Sequence, residues 1–439
     1  MSAMRVAIIG GGWAGLAAAV RAVQHGHQIT VFEAARTWGG RARAVPAVLA
    51  DGSSLLLDNG QHILIGAYSA TLDLMRTVGV DVQRALLRMP LHLQFPNGQG
   101  LKLPDWPAPL DVLFGVLTAS GWSMADKASL LRYATRWQLS GFRCAPTLSV
   151  ADLCKGLSER VMQTLVEPLC VSALNTPAEE ASATVFLRVL QDSLLGGKGG
   201  SNLLLPRSDL SALFPEAAVQ WLQLRGARLY LGQRVARIAH STHWTVEGEP
   251  FDAVLCATSS SAACQLLRGA TTAQATQDAI RGWTEDTERL RFEAITTVYV
   301  QAGTAHLPQP MLALHSGSDA PAQFVFDRGQ LGGPAGLLAF VISASDGERA
   351  DLQHQVLRQA QDQLAPWLQG HTMHVLQTIV EKRATFACTP GLVRPAQAIA
   401  PGLLACGDYV EGPYPATLEG AVRSAVGAVQ ALGTPSGAR

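Results

Sequence analysis

The sequence predicts an α/β fold in two domains: a parallel-sheet domain with pieces at both ends of the chain, and an α+β domain interleaved with it. Three observations carry this. Residues 5–33 read as strand, Gly-rich turn, helix and strand, the content of one βαβ unit. Residues 403–430 read again as strand, Gly turn and helix. Between them, residues from about 64 to 195 follow a mostly helical pattern broken by Pro-rich turns, and 439 residues exceed one ordinary core.

In chain order, Arg5-Val6-Ala7-Ile8-Ile9 is a short apolar run, as a buried parallel strand is. Leu16 to Gln24 is Ala- and Leu-rich and helical, Gly26 ends it, and Gln28 to Glu33 is a second strand. Pro104, Pro107 and Pro109 punctuate the helical stretch around Trp106. Gly196-Gly197-Lys198-Gly199-Gly200 is a loop without phosphate-loop spacing. Strand character returns in Arg228–Leu231, Arg234–Ile238, Trp244–Val246 and Ala253–Ala257, and again near 295–300 and 337–342. Asp351 to Leu364 reads as helix, then Leu403–Cys406 as strand and Leu418–Gln430 as helix. The boundaries placed on this pattern are 1–63, 200–265 and 395–439 for the first domain, and 64–199 and 266–394 for the second.

Composition narrows the classes. Hydrophobic residues make up 48% and charged residues 15%, enough to bury a large core and too apolar for a disordered chain. Thirty-four basic residues balance 34 acidic ones, which disfavours a nucleic-acid partner. With a mean hydropathy of +0.16, this suits a protein that handles an apolar molecule or rests on a membrane. The seven Cys are scattered without a C-x-x-C pair, so buried thiols in a reducing compartment are expected, with no disulfide framework or zinc site. His240/His243 and His371/His374 lack further ligands at metal spacing, so no metal is expected. No segment holds about 18 uninterrupted apolar residues. The expectation is a cytoplasmic protein, at most peripheral on the inner face of the cytoplasmic membrane.

Gly10, Gly12 and Gly15 form G-x-G-x-x-G between strand and helix. Gly10 permits the tight turn, Gly12 lets backbone approach a pyrophosphate, and Gly15 lets the helix pack closely on the sheet. Glu33 ends the second strand, where a carboxylate accepts from a ribose hydroxyl. This is a Rossmann-type dinucleotide site. Gly39-Gly40-Arg41 offers close backbone passage and a phosphate partner, and Gly407-Asp408 follows an apolar strand near the C-terminus.

Together these motifs resemble the FAD-dependent amine oxidase and carotenoid desaturase superfamily over essentially the whole chain. Asp58-Asn59-Gly60-Gln61-His62, Glu167-Pro168-Leu169-Cys170, Ala173-Leu174-Asn175-Thr176-Pro177, Leu205-Pro206-Arg207 and Pro415-Ala416-Thr417-Leu418-Glu419-Gly420-Ala421 are more narrowly similar to the bacterial squalene-associated FAD-dependent desaturases, the hydroxysqualene dehydroxylases. The resemblance implies an amine oxidase-like two-domain flavoprotein, an FAD-binding domain interleaved with a substrate-binding one. It places Gly10, Gly12, Trp13, Ala14 and Gly15 around the pyrophosphate, Glu33 and Ala34 at the adenosine, and Gly40 and Arg41 by the phosphates. Val235 would cover the adenine. Gly407 and Asp408 would meet the ribityl or phosphate region, Gly60 and Gln61 would pass the ring, and Thr417, Leu418 and Glu419 would bring a helix N-terminus to it.

The resemblance also implies a reaction of squalene and hopanoid biosynthesis. Hydroxysqualene, a C30 isoprenoid, loses its hydroxyl and gains a hydride from reduced flavin, which an external donor must supply. A proton source is then needed. Candidates are His62, Asp58, Tyr414 and Glu167, each with an ordinary structural alternative: a satisfied His, a loop-fixing Asp, a packing Tyr, a helix-start Glu. Other readings of the same fold are a carotenoid-type desaturase with hydride moving to the flavin, an amine oxidase with a polar or aromatic cage, and a lipid carrier without chemistry of the Rab GDP-dissociation inhibitor kind. Leu110–Leu117 is strongly apolar, with Trp106 and Trp122 beside it. It reads either as a core helix or as a helix that contacts the membrane and admits a lipid. The oligomeric state is not encoded in any of these features.

Overall fold

The computed structural model describes residues 3–49, 51–194 and 197–433. Gly196 of the glycine loop and the outermost residues of the first and last segments lie outside the described residues. The opening βαβ unit forms as its sequence dictates: β1 (Arg5–Ile9), α1 (Trp13–Gln24) and β2 (Gln28–Glu33). β1 lies inside a six-stranded sheet ordered Arg228–Leu231, β2, β1, Ala253–Cys256, Leu403–Ala405, Ala398–Ala400. Every pairing is parallel except the last. Strands from three distant parts of the chain therefore share one sheet. Small residues let the helices lie flat on it. Ala17, Ala18, Ala19 and Ala22 of α1, and Ala425 and Ala428 of the last helix (Leu418–Leu432), are fully buried in one core.

A second, five-stranded antiparallel sheet runs Met311–Ala313, Phe324–Asp327, Leu337–Ser343, Phe292–Gln301, His374–Phe386. Its side chains alternate cleanly, as the two-residue period of a strand requires. Val298, Val300, Phe340 and Ile342 pack with Leu352, Val356 and Ala360 of the helix Arg349–Gln363. Ile295, Phe324, Phe326 and Val341 face the other way, into a cavity.

The structure differs from the sequence reading at three places. The mostly helical stretch 64–195 also holds short strands. Leu64–Ile65 and Leu86–Met89 pair with Leu203–Pro206, and His92–Gln94 pairs with Gly100–Lys102. The strand expected at Arg234–Ile238 begins only at Ile238. The amides of Ala236 and Arg237 turn instead to the Glu247 carboxylate. The long strand His374–Phe386 has no counterpart in the sequence reading. Its run of Glu381, Lys382 and Arg383 hides it, and charges are tolerated there because it pairs on one side only.

Candidate functional site

A cavity of about 870 Å³ lies between the two sheets, within the size of ordinary cofactor and ligand sites. The parallel sheet contributes its strand ends and helix starts. Gly10 sits at φ +114, and a Cβ there would lie 2.5 Å from the Ala257 carbonyl oxygen. Gly12 caps α1 with no side chain over the first-turn amides, so those orphan N–H groups and the positive end of the helix remain for a ligand. The last helix also starts at the cavity. Thr417 caps it through its own hydroxyl, and Thr417, Leu418 and Ala421 line the wall.

Of the residues named for a cofactor, all but Gly15 and Glu419 line this cavity: Gly10, Gly12, Trp13, Ala14, Glu33, Ala34, Gly40, Arg41, Gly60, Gln61, Val235, Gly407, Asp408, Thr417 and Leu418. Gly15 stands behind the wall, where a Cβ would lie 1.8 Å from the Gly10 carbonyl oxygen. Glu419 is fully buried and points away, accepting from the Ala70 and Thr71 amides and the Thr71 hydroxyl. Glu33 accepts from the Gly11 and Ala35 amides, both at 2.6 Å. Arg41 donates to Asp408 at 2.6 Å and to the carbonyls of Arg383 and Ala384, which ties the long strand of the second sheet to the parallel sheet.

The four proton-donor candidates separate. His62 lines the cavity. Burial, and then the nearby Arg41 charge, lower its pKa to about 4, so its ring is neutral at pH 7. Asp58 is buried outside the wall, accepts from the Leu210 amide at 2.8 Å, and is pushed up to about 6, chiefly by burial. Tyr414 is not on the wall either. Its ring lies edge-on to Tyr68 and beneath the Arg423 guanidinium, and burial raises its pKa to about 12. Glu167 is exposed at the start of a helix (Glu167–Leu174) whose far end, Val171 to Ala173, reaches the cavity.

The structure adds residues that sequence reasoning did not single out. Arg43 and Glu381 line the cavity, and Asn59 bridges the Arg41 carbonyl and Glu381. Asn175, in the left-handed region at φ 48, donates to Thr385 and accepts from the Ala344 amide. Phe324 and Phe326 form an apolar wall, and no alternation marks them in a strand whose residues are all buried.

These residues suit a dinucleotide at one end and an apolar ligand at the other: a glycine cradle, two helix starts, a carboxylate at the end of β2, and a wall of Phe, Ile and Val. A hydroxysqualene dehydroxylase of Rhodopseudomonas palustris is 28% identical over 95% of this chain and 96% of its own. A probable zeta-carotene desaturase of Synechococcus elongatus is 28% identical over 54% of this chain and 52% of its own. A solved oxidoreductase of Methanosarcina mazei superposes with a TM-score of 0.70 at 16% identity, over 97% of this chain and all of that one. The family model for flavin containing amine oxidoreductase matches residues 13–433, so the chain belongs to that family and is an FAD-dependent oxidoreductase.

Proposed function

We propose that this protein reductively removes the hydroxyl group of hydroxysqualene to give squalene. The observation that carries the reading is the extent of similarity. The dehydroxylase match spans 95% of the chain, against 54% for the desaturase. The cavity meets the physical requirement, because Ile295, Phe324, Phe326 and Val341 offer a long hydrocarbon a dry wall. When bound, reduced FAD supplies the hydride that replaces the hydroxyl. In balance, a C–O bond breaks, the oxygen leaves as water with one added proton, and a C–H bond forms.

The chain's residues divide the remaining work. Gly10, Gly12 and the start of α1 would hold the pyrophosphate with Gly40 and Arg41, Glu33, Ala34 and Val235 would hold the adenosine, and Asp408 would meet the ribityl or phosphate region. Thr417 and Leu418 present a helix start to the ring. His62, on the cavity wall and neutral at pH 7, would donate a hydrogen bond to the departing oxygen, while the proton that oxygen takes up comes from solvent.

An anaerobic single-turnover assay tests this. Chemically reduced, FAD-loaded protein is mixed with hydroxysqualene. Squalene is expected in step with flavin oxidation. Oxidised protein that converts a carotenoid precursor, with no squalene formed in the first assay, would favour the desaturase reading that the partial match supports.

The same reading places the protein on a membrane surface. In the helix Leu110–Thr118, Leu110, Leu113, Phe114 and Leu117 are exposed while Asp111 is buried, so the apolar stripe faces outward, the reverse of an ordinary surface helix. Trp106 packs on Phe114 within this patch, and Met124 beside it is 74% exposed. Trp122 is buried and donates to Thr164, so it is not part of the surface. Among the described residues no helix is long and apolar enough to cross a membrane, which leaves surface contact as the mode. The double variant L113D/F114D is expected to cosediment at least about tenfold less with phosphatidylethanolamine–phosphatidylglycerol vesicles, with FAD content unchanged. Equal sedimentation would remove the membrane assignment.

A further inference from the structure

Asp58, Arg328 and Gln61 form a buried chain that ends in the cavity. Arg328 directly follows the strand Phe324–Asp327. Phe324 and Phe326 face the cavity, and Arg328 opens the 3-10 turn (Arg328–Leu331) that follows them, behind the cavity wall. Its Nη2 lies 3.7 Å from Asp58 Oδ2. Its Nη1 donates to Gln61 Oε1 at 3.3 Å and to the Pro206 carbonyl at 3.5 Å. Both charged side chains are buried, Arg328 10% exposed and Asp58 1%. Asp58 Oδ2 has no hydrogen-bond partner among the described residues, so the carboxylate is held here by charge, and by the Leu210 amide on its other oxygen.

A guanidinium only donates, so the Gln61 amide atom that faces it must be the oxygen. The amide nitrogen is then left for the cavity that Gln61 lines. Its sole other contact among the described residues is a long one, 3.4 Å to the His62 carbonyl. We propose that Asp58 and Arg328 are positioning residues that lock the Gln61 amide with its N–H group presented to an oxygen acceptor bound in the cavity. That acceptor is a carbonyl of the flavin ring or the hydroxyl of an isoprenoid alcohol. The flavin acceptor rests on the FAD site alone; the alcohol acceptor rests also on the proposed dehydroxylation.

The arrangement has a pH signature opposite to that of an acid at the same residue. Asp58 faces Arg328 from the turn after one strand, Asp209 from the loop before Leu210, and Tyr299, whose hydroxyl donates to the Asp58 carbonyl. Burial raises its pKa to about 6. Below that pH the carboxyl is neutral, Arg328 loses its counter-charge and Gln61 loosens. Positioning therefore weakens as pH falls through about 6. Proton donation by Asp58 would strengthen over the same range.

The test uses the full-length protein and the variants Q61L, R328Q, R328K and the double variant Q61L/R328Q. FAD affinity and reduction potential are measured first, then the affinity of the FAD-loaded protein for hydroxysqualene relative to squalene. Q61L and R328Q are each expected to weaken the same readout about tenfold, the worth of one hydrogen bond to a charged or well-oriented partner. The double variant is expected to be no worse than either single one, with R328K between them and wild type. A change in FAD affinity or potential identifies the ring as acceptor; a change confined to the alcohol-to-hydrocarbon ratio identifies the substrate hydroxyl. No change in either readout, or losses that multiply in the double variant, overturns the proposal. Wild-type protein supplies an arm that needs no variant: the affected affinity should fall between pH 7 and pH 5, and a constant or rising affinity also overturns it.

Discussion

Gly15→Ala is expected to cost both fold stability and FAD, whereas Gly12→Ala should cost FAD alone. The difference lies in what each new methyl meets. At Gly15 a Cβ falls 1.8 Å from the Gly10 carbonyl oxygen and 2.9 Å from its carbon. Both are backbone atoms of the turn that joins β1 to α1, so no side chain can swing aside. Helix and turn must part, and Gly10 cannot yield because the Ala257 backbone closes on it from the other side. Overpacking of this kind costs about 1–3 kcal/mol. The same displacement moves the orphan amides of α1 away from their ligand, so FAD affinity should fall by about 100-fold. At Gly12 the nearest atom to a Cβ is Gly40 Cα at 3.7 Å, an ordinary contact. A methyl there fits the protein and obstructs only what lies in the cavity. The pair is read by thermal melting of the apoproteins and by fluorescence titration with FAD. A Gly12→Ala protein that binds FAD like wild type would show that the dinucleotide does not pass over this turn. A Gly15→Ala protein with unchanged melting would show that the close packing of α1 carries little stability.

The contrast between these two glycines also marks what the sequence can and cannot convey. Local rules reached both residues, since a strand, a G-x-G-x-x-G turn and a helix are contiguous and their geometry follows from φ freedom and close approach. The parallel sheet was legible for the same reason, as were the glycines and Glu33 that line the cavity at its strand ends. The second sheet was harder. Its long edge strand carries Glu381, Lys382 and Arg383, and its place follows only from pairing with Phe292–Gln301 far earlier in the chain. Proton-donor candidates fared worst, because charge state depends on burial that no short motif encodes. His62 reached the cavity but is held neutral. Glu167 reads like an acid beside a conspicuous Pro, yet faces solvent. Arg328 is invisible in sequence, and its neighbours Asp58 and Gln61 come from a segment 267 residues away in the case of Gln61.

Glu419 shows how a site motif can hold a structural residue, and Glu419→Ala should be the most destabilising single change in the last helix. The helix Ser69–Thr77 has no side-chain cap of its own. Its first amides are met instead by Glu419 across the interface: Ala70 N at 3.1 Å, Thr71 N at 2.9 Å and the Thr71 hydroxyl at 2.7 Å. Arg423 closes the set, its Nε donating at 2.7 Å. The carboxylate is completely buried, so its removal strands several donors at once and leaves a void. Breaking a buried charged network of this kind costs about 3–5 kcal/mol, which corresponds in a chain of this length to a melting temperature lower by roughly 4 °C. Arg423→Ala should be much milder, at about 1 kcal/mol, because Arg423 is 36% exposed and the carboxylate keeps its other three donors. Glu419→Gln should fall between, since an amide must turn one donor toward donors. Tyr68 precedes the capped helix and Thr417 precedes Glu419, and both line the cavity. The loss should therefore spread to FAD affinity in Glu419→Ala but not in Arg423→Ala. Melting temperatures that rank Arg423→Ala below Glu419→Ala would mean the helices are held by the surface pair and not by the buried carboxylate.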